Sequence, residues 1–121
     1  MRALLLALML VSAQSWGADK SGSYTGTAPS CADVVAVARE RDKSDIAKVR
    51  WITIGWWIHG YVVAYNTFTP DTYDVMGDTD LRTVLQWMTA WCEKNTLRNS
   101  GHAMEVLMQE LYPRRRKTGK Q

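Results

Sequence analysis

The stretch that decides the fold is residues 45–65, which read DIAKVRWITIGWWIHGYVVAY. On a helix with 100° per residue, its apolar side chains cover two opposite faces and leave a narrow stripe for water. The first face carries Val49, Ile52, Trp56, Gly60, Val63 and Ala64, the second carries Trp51, Ile54, Ile58, Tyr61 and Tyr65, and the stripe carries Lys48, Gly55, His59 and Asn66. Because a helix that is apolar nearly all round is typical of a central position, we expect a small all-α, four-helix bundle around it.

A membrane span is the other structure that such a stretch can form. Its uncharged part, residues 51–65, is too short for the roughly 20 residues that a bilayer requires, and it contains His59. We therefore expect a buried helix of a soluble domain and no stable membrane span. Gly60 and Ala64, four residues apart, predict that another backbone approaches closely there.

Three further helices are predicted around this one. The first covers residues 31–41, starts at the N-cap Ser30 and turns Val34, Val35 and Ala38 to the same side as Cys31. Residues 67–80, with Pro70, Gly77 and four aspartates, indicate an ordered loop.

The third and fourth helices are amphipathic. Thr79 or Asp78 would cap the third, Ser100 would cap the fourth, and Pro113 would stop the fourth. The inward residues are Leu81, Val84, Leu85, Met88, Trp91 and Cys92 in the third helix, and Ala103, Met104, Leu107, Met108 and Leu111 in the fourth. Cys92 thus faces the core.

The N-terminus is typical of a secretory signal peptide. Met1 and Arg2 provide a positive start, a nine-residue apolar run covers residues 3–11, and small residues follow. Cleavage after Gly17 fits the small-residue rule better than cleavage after Ala18, which would place Trp16 at a small-residue position. We expect a signal peptide over 1–17, a flexible leader over 18–30, a helical domain over 31–113 and a periplasmic protein.

Export changes what the two cysteines indicate, because disulfides persist in oxidising compartments. Cys31 and Cys92 are therefore expected to form one disulfide bond. A metal or catalytic-thiol interpretation is weaker, since the sequence has no Cys-x-x-Cys and no His at ligand spacing from either cysteine.

The net charge of +3 hides an uneven distribution. Residues 19–113 contain nine Lys and Arg residues against twelve Asp and Glu residues, a net charge of −3, whereas residues 114–121 contain five basic residues and no acid. Such a tail can attract nucleic acid, a phosphate-bearing lipid or an acidic partner. Export argues against nucleic acid, and we expect a disordered, solubilising tail over 114–121.

No motif for catalysis is present: the sequence has no phosphate-binding Gly loop, no His-Glu-x-x-His and no nucleophile elbow. The aspartates of the 67–80 loop do not follow calcium-ligand spacing and are explained by turns and capping. We expect no enzyme activity, no catalytic residue, no metal site and no cofactor.

The aromatic residues of the second and third helices are numerous for so small a domain. Most must belong to the core, but a partner could cover some of them. The candidate protein-binding surface consists of Trp51, Trp57, Tyr61, Tyr65 and Trp87.

Several short motifs resemble the HdeA/HdeB family of small periplasmic acid-stress chaperones. They are Cys31 opening the first helix, Gly60-Tyr61 and Ala64-Tyr65-Asn66 ending the second, Tyr73-Asp74-Val75-x-Gly77, and Cys92 followed by Lys94-Asn95. The resemblance implies a disulfide-bonded helical fold, a homodimer at neutral pH, and apolar surface that is exposed in acid to hold unfolding clients. The fourth helix extends beyond the second cysteine, and the cysteine spacing is longer than in those chaperones.

This extended form also looks like exported immunity proteins that neutralise secreted cell-envelope enzymes. In that class the function is one tight interface with a single partner. An accessory protein of an envelope assembly is a third interpretation. The expected function is therefore protein binding, with acid-stress chaperone first and immunity or inhibitor protein second.

Overall fold

The computed structural model describes residues 28–120, which form four α-helices. They are α1 (Cys31–Glu40), α2 (Asp45–Phe68), α3 (Leu81–Lys94) and α4 (Ser100–Leu111), and a 3₁₀ turn over Tyr112–Arg114 follows α4. The predicted all-α bundle is confirmed. The predicted signal peptide and the leader up to residue 27 lie outside the described residues.

Each helix starts at a side chain that accepts a hydrogen bond from a backbone N–H of the first turn. The N-caps are Ser30, Ser44, Asp80 and Asn99. The predicted cap Ser30 is confirmed, but the caps predicted for the third and fourth helices are wrong by one or two residues. Ser100 is instead the first residue of α4 and is fully buried.

The predicted disulfide between Cys31 and Cys92 is confirmed. It joins the start of α1 to the end of α3, with 4.8 Å between the two Cα atoms, and both cysteines are fully buried. Backbone hydrogen bonds tie the same end of the bundle: the Cys31 N–H donates to the Arg98 carbonyl and the Ser100 N–H donates to the Pro29 carbonyl, both at 2.9 Å. The entry to α1 and the turn before α4 therefore form one clamp.

The core lies among α1, α3 and α4 and on one side of α2. Seven of the twelve residues of α4 are buried, as predicted for Ala103, Met104, Leu107, Met108 and Leu111. Only five of the 24 residues of α2 are buried, and α1 is the helix that packs against both α2 and α3.

The expectation that neighbours cover both faces of α2 is wrong. Ile54, Gly55, Ile58 and Val62 are buried, whereas Gly60 and Ala64 are exposed. Apart from the chain neighbours of Gly60 and the backbone of its own helix, no atom comes within 4 Å of the Cβ position at Gly60. Gly55, placed in the water-facing stripe by the sequence pattern, instead contacts Leu81 and Leu85 of α3.

Residues 114–120 fold back over the loop before α3, which differs from the disordered tail that their composition predicts. Arg116 and Asp74 form an antiparallel backbone bridge. The Arg116 guanidinium also pairs with the Asp74 carboxylate at 2.7 Å, and this hydrogen bond is the main reason why the pKa of Arg116 is raised. The Arg115 guanidinium donates to the Asp71 carbonyl at 3.1 Å.

Within residues 28–120, every helix is either too short or too polar to cross a bilayer.

Candidate protein-binding surface

The most prominent surface feature is the outer face of α2, by which we mean Val49, Ile52, Trp56 and Val63. These side chains are 62%, 52%, 69% and 50% exposed, respectively. Their spacing of three, four and seven residues places them on one stripe of the helix. Ile46 and Phe68, at the two ends of α2, are also exposed.

The outer face is uncharged over most of its length. Between residues 51 and 68, α2 contains no Asp, Glu, Lys or Arg. The histidine in this segment, His59, is exposed, and its ring makes an edge contact with Trp56 at a centroid distance of 5.8 Å. An exposed helix normally carries charged residues on its solvent side, so this face is unusual for a surface that meets only water.

The fold itself explains why this face stays uncovered. The inner face of α2 places Ile54, Ile58 and Val62 in the core. The loop after α2 then leads into α3, which packs near Gly55 on the inner side rather than across Trp56. No other described element crosses the outer face.

A groove borders the outer face where α2 meets α3. Its apolar floor is formed by Trp51, Ile52, Leu81 and Leu85, and its rim carries Arg41, Asp42, Lys48, Arg82 and Gln86. The volume of the groove is about 570 Å³. The Arg41 guanidinium lies 5.0 Å from the centre of the Trp51 ring, a cation–π contact that holds this cation beside the apolar floor.

The five aromatic residues that the sequence singled out are each half-buried against the core. Trp57 and Tyr61 contact each other at 5.7 Å, and Trp87 stacks on Trp91 at 6.4 Å between ring centroids. Of the five, Trp51 lines the groove just described, and Tyr65 lies on the inner side of α2.

Sequence reasoning missed the residues that are most open to a partner. Trp56 and Ile52 were assigned to a buried face because apolar periodicity does not distinguish a covered stripe from an uncovered one. The groove cations come from three separate segments, so no local motif could reveal them. The length of the uncharged stretch in α2 was the one available signal.

A second, more polar cleft of about 700 Å³ lies between the docked tail and the loop before α3. Asn66, Tyr73 and Asp74 line one side, and residues 116–120 line the other. Among residues 28–120, no three or more His, Cys, Asp and Glu side chains are grouped so that they could hold a metal ion.

Comparisons with known proteins give the chain no relative: no family model, no curated protein and no solved structure matches it.

Proposed function

We propose that this protein acts by binding other proteins, and that the outer face of α2 is the surface that binds them. The observation that supports this proposal is the half-to-two-thirds exposure of four large apolar side chains on one uncharged stripe. Removing such a side chain from water contributes on the order of 1–2 kcal/mol. A partner that covers the stripe would therefore gain substantial binding energy without any catalytic chemistry.

In its finer form, the proposal is a periplasmic acid-stress chaperone that holds unfolding clients, as the resemblance to the HdeA/HdeB family implies. Such clients expose apolar segments without a fixed sequence, and an uncharged apolar stripe suits them. Two ion pairs link the elements, Asp33–Arg50 between α1 and α2 and Arg39–Glu93 between α1 and α3. Because these pairs are exposed, they hold α1 only weakly to its neighbours, whereas the disulfide fixes the start of α1 to the end of α3.

A client-aggregation assay tests this proposal. Light scattering of an acid-unfolding reporter enzyme is followed at pH 7 and near pH 2, with the wild-type protein and with the outer-face variant Trp56→Ser/Val63→Ser. We expect the wild-type protein to suppress scattering and the variant to lose most of this suppression.

The matched control is Leu97→Ser, because Leu97 is fully exposed in the turn between α3 and α4, away from the outer face. It should protect the client as well as the wild-type protein does. If the outer-face variant protects the client as well as the wild-type protein does, the outer face is not the surface that binds clients.

The charged groove beside the outer face favours a second candidate function, that of an immunity or inhibitor protein with one dedicated partner. Unfolded clients differ in charge, so a chaperone does not need cations in fixed places to hold them. A single dedicated partner, in contrast, can carry acidic groups that match the positions of these cations. A partner of this kind would bind in a saturable 1:1 complex at neutral pH.

A further inference from the structure

We propose that the groove between α2 and α3 binds an acidic amphipathic helix of a partner protein. This inference rests on the proposed protein-binding function and names the chemistry of the partner. It concerns the residues of the groove, which overlap the outer face of α2 only at Ile52.

The floor of the groove is apolar. The side chains of Leu81 and Leu85 lean against Gly55, with methyl carbons 3.8 and 3.9 Å from the position that a Cβ would occupy there. Because Gly55 has no side chain, the two leucines can approach the backbone of α2 there, and Trp51 and Ile52 complete the apolar floor. The volume of about 570 Å³ suits a few apolar side chains spaced by one helical turn.

The rim of the groove is positively charged. Arg41, Lys48 and Arg82 line the groove together with one acid, Asp42. Among the described residues, Lys48 and Arg82 make no ion pair, and Arg41 pairs only with the adjacent Asp42, at 3.5 Å. Since residues 19–113 carry a net charge of −3, this local excess of cations is opposite in sign to the rest of the domain.

Arg82 lies at the start of its own helix, close to the N-cap Asp80. It is the second residue of α3, whose first turn contains no acidic residue. A cation near a helix N-terminus opposes the helix dipole, while the N-cap carboxylate of Asp80 attracts Arg82. A carboxylate supplied by a partner would add to this attraction and further offset the dipole.

The apolar floor and the positively charged rim together indicate which kind of partner fits the groove. A nucleic acid or another polyanion would leave the apolar floor without a complement, and a basic helix would be repelled by the rim. A second copy of this chain is a poor match through α2, because α2 contains no acidic residue after Asp45. An amphipathic helix with an apolar stripe flanked by Glu or Asp satisfies both features.

The test uses two synthetic 18-residue amphipathic peptides with the same leucine stripe, one with Glu and one with Lys at the flanking positions. Binding to the full protein is measured by fluorescence anisotropy of the labelled peptide at low and physiological salt. We expect the Glu peptide to bind with a salt-dependent affinity, and the Lys peptide not to bind.

Charge reversal then locates the binding site. Lys48→Glu/Arg82→Glu should weaken binding of the Glu peptide by about tenfold or more. The control Lys94→Glu/Arg98→Glu changes the net charge equally at exposed positions outside the groove and should stay within about twofold of wild type. Lys48→Gln/Arg82→Gln, which adds no acids, should give an intermediate loss, and circular dichroism checks that each variant is folded.

Three results would overturn the inference: equal binding of both peptides, equal effects of the two charge-reversal pairs, or a dimer of this chain that groove charge reversal dissociates. None of them depends on client protection. Suppose that neither peptide binds the groove while Trp56→Ser/Val63→Ser still abolishes client protection. The groove is then not a binding site for an acidic helix, but the proposed protein-binding function stands.

Discussion

Gly60 lies in the middle of the 24-residue helix α2 with open space at its Cβ position. Glycine in a helix interior costs about 1 kcal/mol relative to alanine, because it loses more backbone freedom on folding. We therefore expect Gly60→Ala to raise the free energy of unfolding by about 1 kcal/mol, measured by urea denaturation.

Gly77 is the control for that substitution. Its φ of +58° lies in the left-handed region, and a Cβ there would lie 3.1 Å from the Arg114 carbonyl oxygen. Gly77→Ala should destabilise the protein. Stabilisation by both alanines, or by neither, would contradict this assignment of the two glycines.

Asp80 should contribute a pH-dependent part of the stability. The Thr83 N–H donates to its carboxylate at 2.7 Å, and this hydrogen bond lowers the pKa of Asp80 below its usual value of 3.8. A carboxyl whose pKa is lower in the folded state stabilises the protein fully above its unfolded pKa, and this contribution disappears as the pH falls through the folded pKa.

Asp80→Asn keeps an acceptor at the N-cap but does not titrate there. We expect the melting temperature of the wild-type protein to exceed that of Asp80→Asn near pH 6, and the difference to shrink below pH 3.8. Melting curves from pH 2 to pH 6 measure it. A constant difference across this range would show that the charge of Asp80 does not stabilise α3.

Among the elements, the link between α1 and α3 should have the largest single effect. The disulfide joins residues that are 61 positions apart in the sequence. For a loop of this length, the chain-entropy model gives about 4 kcal/mol of stabilisation. We expect Cys31→Ser/Cys92→Ser to lose stability of this order, measured by denaturant unfolding under oxidising conditions.

The control is the wild-type protein unfolded with and without a reductant. Reduction should lower its stability nearly to that of the double variant, and the double variant should not respond. A double variant as stable as the oxidised wild-type protein would show that the disulfide does not stabilise the fold.

Helix positions were largely predictable from the sequence, because each helix has a strong cap or a clear inward stripe. Val84, Met88 and Cys92 of α3 are buried as their spacing predicts. The environment of α2 was not predictable, because both of its faces are apolar and only tertiary contacts decide which face is covered. The site was missed for the same reason: Trp56 and the half-buried Trp57 are neighbours of one residue type, and the fold alone separates them.

At the scale of the whole molecule, the basic tail and the acidic loop before α3 compensate each other. The Asp74 carboxylate pairs with the Arg116 guanidinium, and the charge of Asp78 also attracts this guanidinium. Part of the charge asymmetry seen in the sequence is thus neutralised within the fold.

Arg116→Ala should release this tail. The Tyr73 and Asp74 amides donate to the Arg116 carbonyl at 2.9 and 3.0 Å, so their hydrogen exchange should accelerate severalfold when the side-chain anchor is lost. Arg114→Ala, which removes a neighbouring charge from the same segment, is the control and should leave these two amides protected. Unchanged exchange in Arg116→Ala would mean that the backbone bridge alone holds the tail.

The clamp at the start of α1 also determines the order in which the chain can fold. A polypeptide is synthesised from its N-terminus. Cys31 is therefore made long before its disulfide partner Cys92, and Pro29 long before Ser100, whose N–H donates to the Pro29 carbonyl. The Cys31 thiol therefore stays unpaired while α2 and most of α3 are synthesised, although α2, which follows α1 directly, can pack against α1 before then. The consequence for biosynthesis is that the Cys31 thiol must not pair elsewhere before Cys92 has been made.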